Sequence, residues 1–230
     1  MDSTSLADID WFTLLSHWSL LAGVAYLALF ALILTIILPS SKSSALPEKY
    51  FELIAAYKRP KIYRLTILFD VVAWVAIGGF LVTCVGLLAA YSPVRSLYIA
   101  LLATGVLSGI IGACLRLVET PRMANTYHKA NSDKAELSIV ESYEVLLNNI
   151  NTLFSVGGLL VGAALVAAMF GVWSISQFSH WVVILLGLAG AISVSKGALE
   201  LVTGKDWGPL GLLSGIMMIV AFFALALRFW

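Results

Sequence analysis

The chain has 230 residues, of which 60% are apolar and only 12% charged, against roughly 45–50% apolar and 25% charged in an ordinary soluble domain. With a mean hydropathy of +0.96, a soluble globule is excluded, because it could not hide that much apolar surface. A formal net charge of +1, with acids interleaved among the bases, likewise argues against the basic patch that a nucleic-acid partner requires.

At the N-terminus the acidic stretch carrying Asp2, Asp8 and Asp10 has no Lys or Arg before Lys42. It lacks the basic region of a cleavable signal, so the first apolar run is expected to stay in the protein. Six such runs follow, at 18–38, 65–90, 98–118, 150–172, 181–202 and 210–229. About 20 apolar residues rising about 1.5 Å each cross a hydrocarbon core of about 30 Å. Backbone groups in lipid must pair within their own segment, and runs this long do not alternate as barrel strands do. The expectation is an all-α polytopic membrane protein: a single domain of six transmembrane helices in a compact bundle, in contact with the lipid bilayer.

Two long connections, 39–64 and 119–149, read as helical. In the first, Pro47 suits a first helical turn, and Tyr50, Phe51, Ile54 and Tyr57 recur at helical spacing while Glu48, Lys49 and Glu52 point elsewhere. That pattern predicts an amphipathic interfacial helix whose basic end, Lys58, Arg59 and Lys61, rests on anionic headgroups. In the second, Pro121 is expected to end span three, and Ser132 to cap a helix that starts at Asp133 and runs into span four. Leu137, Val140, Tyr143, Leu147, Ile150 and Phe154 form an apolar stripe along it. Segment 133–149 therefore either packs on the inner ends of its neighbours or offers a docking surface to a partner in a membrane complex.

Orientation follows from the basic residues. Lys42, Lys49, Lys58, Arg59, Lys61, Arg64, Arg122, Lys129, Lys134 and Lys205 fall in one set of loops, and only Arg95 and Arg228 in the other. Lys and Arg are retained on the cytoplasmic side, which places both termini outside (N-out/C-out) and the two long connections inside. Within the spans, small residues recur every four positions: Gly105 and Gly109, Gly158 and Gly162, Ala189, Ser193 and Gly197, Gly211 and Gly215. Such spacing lets helix backbones approach closely. Cys84 and Cys114 fall at opposite depths and are not expected to pair.

Three further stretches are Arg64 to Asp70 (RLTILFD), Leu115 to Glu119 with the YHKA run at 127–130, and Trp181 followed by Gly187 and Gly190. On these the chain resembles a broad bacterial family of multi-span membrane proteins known only as a domain of unknown function. The resemblance implies a multi-pass protein of a bacterial inner membrane and carries no catalytic residues with it.

Charges inside spans are the best functional hints in such a chain, because each costs a few kcal/mol to insert. Asp70, Arg116, Glu119, Lys196 and Glu200 share one level toward the inner side, with Asn148, Asn149, Asn151 and Thr152 at the same depth. They form either a proton-coupled or anionic-solute site or the floor of a cytoplasmic cavity, or else a structural set in which Asp70 clamps a snorkelling Arg116 and Lys196 pairs with Glu200 along its helix. At the outer side His17 and His180 each follow a Ser and precede a Trp, in the triplets at 16–18 and 179–181. With Asp8 and Asp10 they are candidate ligands for a haem or a metal ion; alternatively, with Trp11, Trp18, Trp173, Trp181 and Trp230 they form an interfacial aromatic belt. His128 is expected in a solvated loop.

No phosphate loop, nucleophile elbow or paired-Cys motif is present, so nothing supports an enzyme. The chain reads as a small-solute or proton binding or transport protein, or as an accessory subunit of a membrane complex. The alternative is a membrane redox protein using His17 and His180.

Overall fold

The computed structural model describes residues 10–34, 50–89, 93–173, 175, 177–205 and 207–230, without the side chains of Phe51 and Arg95. Asp2, Asp8, Lys42, Pro47, Glu48 and Lys49 lie outside the described residues. Eight helices run through the rest: α1 Trp11–Leu32, α2 Phe51–Lys58, α3 Pro60–Ala89, α4 Pro93–Ala103, α5 Gly105–His128, α6 Asp133–Val172, α7 His180–Thr203 and α8 Gly208–Phe229. Six spans among the described residues are long and apolar enough to cross a membrane, α4 and α5 together making the third. The chain is a multi-pass helical membrane protein.

Helix ends follow local chemistry more closely than hydropathy does. α1 starts seven residues before the expected 18, because the Asp10 carboxylate accepts from the Phe12 and Thr13 amides at 3.1 and 3.2 Å and from the Thr13 hydroxyl at 2.6 Å. These bonds, the Thr13 hydroxyl foremost, hold the Asp10 carboxyl below its ordinary value. Ser132 caps α6 through the Ala135 amide at 3.3 Å, as the sequence predicts. α6 then runs unbroken for 40 residues, about 60 Å at 1.5 Å per residue, so its first half projects beyond a hydrocarbon core. Gly204, at φ 64°, closes α7 in the left-handed conformation that glycine adopts without strain.

Two expectations about span three are corrected. Pro121 does not end it: the proline is buried inside α5, which continues to His128. One backbone hydrogen bond is lost there, but Thr120, Pro121 and Ala124 are all buried on that face, and packing holds the helix together. His128 accordingly stands on a helix, its ring 4.1 Å from that of Tyr57. The span is also broken near its other end, at Thr104, whose hydroxyl bonds back to the Leu101 carbonyl at 2.6 Å, a contact that bends helices.

The short helix α2 is more deeply packed than a single apolar stripe implies: Leu53, Ile54, Ala55 and Ala56 are consecutive and all buried, while Tyr57 and Lys58 at its end are exposed. It tucks between α3 and α5. With Tyr63, Ile67, Ala113, Ala124 and Tyr143 it builds a second apolar core at the end of the bundle that carries the basic residues. The stripe of α6 is spent on the same core: Tyr143 and Ile150 are fully buried, and Val140, Leu147 and Phe154 partly so, while Leu137 stays exposed.

The six spans close into a ring in chain order. α1 packs on α3, α3 on α4 and α5, α5 on α6, α6 on α7, α7 on α8, and α8 back on α1. Near the termini the axis is filled by Leu15, Ala22, Phe80, Leu165 and Phe222, all essentially inaccessible, with Phe80 edge-on to Phe222 at 5.2 Å between centroids. The outward faces carry Leu27, Val82, Leu107, Phe170, Val202 and Leu227, an apolar belt that faces lipid.

Candidate functional site

Toward the basic end the ring does not fill. Here small and polar side chains replace the large apolar ones: Thr66 and Asp70 on α3, Ser155 and Gly158 on α6, Ser193 and Gly197 on α7, Gly211, Ser214 and Gly215 on α8. The resulting cavity, about 690 Å³, takes wall residues from all six spans and from α2. It runs from the rim at Asn148, Leu201 and Lys205 to a floor of Tyr26, Ile77, Val161 and Met218. One turn beyond that floor stand Ala22, Phe80, Leu165 and Phe222, so the cavity has a closed end toward the termini and an open end at the basic side. On α7 its wall spans from Ser193 to Leu201, about 12 Å at 1.5 Å per residue.

Four of the five inner polar residues expected from the sequence, Asp70, Arg116, Lys196 and Glu200, line this cavity. Glu119 does not, and instead pairs with Arg122 on its own helix at 3.7 Å.

The partners differ in part from expectation. Lys196 Nζ lies 2.6 Å from Glu200 Oε1, the intrahelical pair that four-residue spacing allows. Glu200 is further occupied, accepting from Ser155 Oγ at 2.7 Å and from the Trp207 amide at 3.0 Å. It thereby ties α6, α7 and the start of α8 together. The lysine stem lies along α8, its Cε 2.8 Å from where a Cβ on Gly211 would sit.

Arg116 is not clamped by Asp70. Its Nε faces Glu52 Oε2 of α2 at 3.1 Å, with the two side chains 19% and 12% exposed, and its guanidinium lies over the Phe154 ring at 4.9 Å from the centroid. Tyr63 donates from its hydroxyl to the same Glu52 oxygen at 3.2 Å. Glu52 was missed by sequence reasoning because it belongs to no span. The signal available was the unbroken apolar run that follows it, which marks a buried helix and so a buried neighbour.

Asp70 thus faces the cavity with no ion-pair partner within 4.0 Å among the described residues. Its surroundings are aromatic. Trp74, one turn along α3, is wedged over Gly109, where a Cβ would lie 2.3 Å from the indole, and stacks on Phe154 with centroids 6.1 Å apart. Tyr26 of α1 lines the same space.

At the opposite end the two histidines belong to different aromatic groups. His17, on α1, meets Trp230 edge-on at 5.8 Å, and His180, opening α7, stacks on Trp173 at 4.8 Å. α1 packs on α3 and α8, and α7 on α6 and α8, so the two histidine-bearing helices share a neighbour rather than an extended interface. The repeated triplets likewise differ. Ser16 is buried and donates to the Ala226 carbonyl at 3.0 Å, whereas Ser179 makes no side-chain cap bond. Trp11 and Trp18 are not belt residues: they lie over Gly86 and Gly79 of α3, while Trp173, Trp181 and Trp230 are exposed.

These features define a multi-pass helical membrane protein with a polar axial cavity closed at one end. Comparison of the chain with protein-family models, with curated proteins and with solved structures gives no match.

Proposed function

We propose that this chain is a solute-binding membrane protein that takes up a small polar solute from the cytoplasm into the axial cavity, as a carrier or as the binding component of a membrane complex. The carrying observation is that all six spans contribute to one cavity of about 690 Å³ with charged and hydroxyl groups in its wall. Its volume falls in the range of roughly 300–1,000 Å³ typical of small-molecule sites. A bundle needing only stability gains nothing from leaving such a space at its axis, since each unfilled void costs packing energy. The excess of Lys and Arg in the loops at the open end supports a cytoplasmic mouth, and so an orientation with both termini outside. A bacterial inner membrane suits this arrangement.

The experiment is a solute screen by thermal unfolding of the purified chain, run in parallel on Gly158→Phe. A Cβ at Gly158 meets nothing within 4 Å, and the residue lines the cavity, so a phenyl ring there is expected to extend into the cavity and occupy it. At least one class of polar solute is expected to raise the unfolding midpoint of the native chain and leave that of Gly158→Phe unmoved. Stabilisation by no class, or equal stabilisation of both proteins, contradicts the proposal.

A further inference from the structure

Resting on the reading of the cavity as a solute site, we propose that its ligand is a small organic cation, an amphipathic protonated amine, bound at Asp70 beside the aromatic side chains of Trp74 and Tyr26. Glu52 is matched by Arg116, and Glu200 by Lys196. Each pair is internally neutralised, and Glu200 has further donors in Ser155 and the Trp207 amide. Lys205 stands at the rim, exposed, where water screens it. Asp70 is left as the one acidic group of the cavity wall without a cationic partner among the described residues.

The rest of the wall indicates which cation. The space is far larger than a bare metal ion needs, and its deep part is apolar and aromatic: Tyr26, Leu29, Trp74, Ile77, Phe154 and Met218. Trp74 is held rigidly, its ring between Gly109 and Gly157, where an added Cβ would come within 2.3 and 3.2 Å of it. An indole fixed one turn from a carboxylate sets an aromatic wall beside a counter-charge, the pairing an amine with an apolar body can use. An anion would meet Asp70 without gaining a free cation in return, because Arg116 and Lys196 are already engaged. A neutral solute would gain no charge-assisted contact at Asp70.

The test compares three probes of matched size, benzylammonium, benzyl alcohol and benzoate, by quenching of tryptophan fluorescence and by thermal shift on the purified full chain. Benzylammonium is expected to bind at least about tenfold tighter than benzyl alcohol, the preference one charge-assisted hydrogen bond supplies, and benzoate not at all. Asp70→Asn should bring the amine down to the level of the alcohol, and Asp70→Glu should restore its advantage. Equal binding of the three probes, preference for benzoate, or an Asn variant that keeps the amine preference overturns the proposal. Should Asp70→Asn not fold, the order of the three probes on the native chain decides alone. If the amine fails while another solute in the screen above stabilises the protein, the cation assignment falls and the cavity reading stands. If nothing stabilises it, both fall.

Discussion

Arg116 is held from two sides, by the Glu52 carboxylate at 3.1 Å and by the Phe154 ring at 4.9 Å, and removing one partner leaves a half-buried charge at the cavity wall. Glu52→Gln and Arg116→Gln should each cost about 1–2 kcal/mol, as single polar contacts inside membrane bundles do, and the double variant about as much as the worse single one. Denaturation in mixed micelles measures this cycle, and strictly additive losses would refute the pairing. Much of the site at this scale is legible in the sequence. Asp70, Arg116, Lys196 and Glu200 stand out because a charge within an apolar run is conspicuous. The pairing was only half legible: four-residue spacing predicts Lys196 with Glu200, but nothing in the spacing folds α2 back to bring Glu52 to Arg116. Trp74 and Tyr26 were invisible as site residues, because an aromatic residue in a membrane span is ordinary.

The small residues of the helices divide into two kinds that four-residue spacing cannot tell apart. Gly162 sits where α6 and α7 touch backbone to backbone, and a Cβ there would lie 2.6 Å from the Gly190 carbonyl oxygen. Gly158, one turn away, faces open cavity. Gly162→Ala should therefore destabilise the bundle by about 1–3 kcal/mol through overpacking, whereas Gly158→Ala should be neutral or stabilising by up to about 1 kcal/mol, the helical preference of Ala over Gly. Unfolding midpoints of the two variants measure the contrast, and equal losses would contradict the assignment of the cavity to that face. The contact partners of α7 show the same limit. Ser193, expected with Ala189 and Gly197 on one stripe, meets two neighbours: its Cβ lies 3.0 Å from where a Cβ on Gly162 of α6 would sit, and its oxygen 2.7 Å from that of Ser214 of α8, which donates to the Ala189 carbonyl at 3.0 Å. Gly197 turns to α6, its missing Cβ 2.5 Å from the Ser155 carbonyl oxygen. Helix identity and number were readable from run length; which face meets which neighbour was not, because it depends on ring closure. The cap at Ser132 is legible because a polar stretch precedes an apolar stripe there, whereas at Asp10 the capping carboxylate, and at Pro121 tertiary packing, extend the helix beyond the hydropathy profile.

For the whole molecule, the packing of a span on the next in sequence follows where the connection is short; the contact of α1 with α3 across the long first connection and the contact of α8 with α1 that closes the ring do not. Closure turns a level of scattered polar residues into the wall of one chamber. The chamber opens at one end and is stoppered at the other by Phe80, Leu165 and Phe222. That asymmetry is the central claim, and it can be read directly by water access. With Cys84, which is buried, and Cys114, which is exposed, both replaced by Ala, a single thiol is introduced as Ser193→Cys in the cavity wall. The chain is then placed in sealed vesicles of each orientation and exposed to a membrane-impermeant maleimide. Ser193→Cys should react when the reagent is applied from the side of the basic loops and stay unreacted from the side of the termini. No reaction from either side, or reaction from the terminal side, would contradict the account.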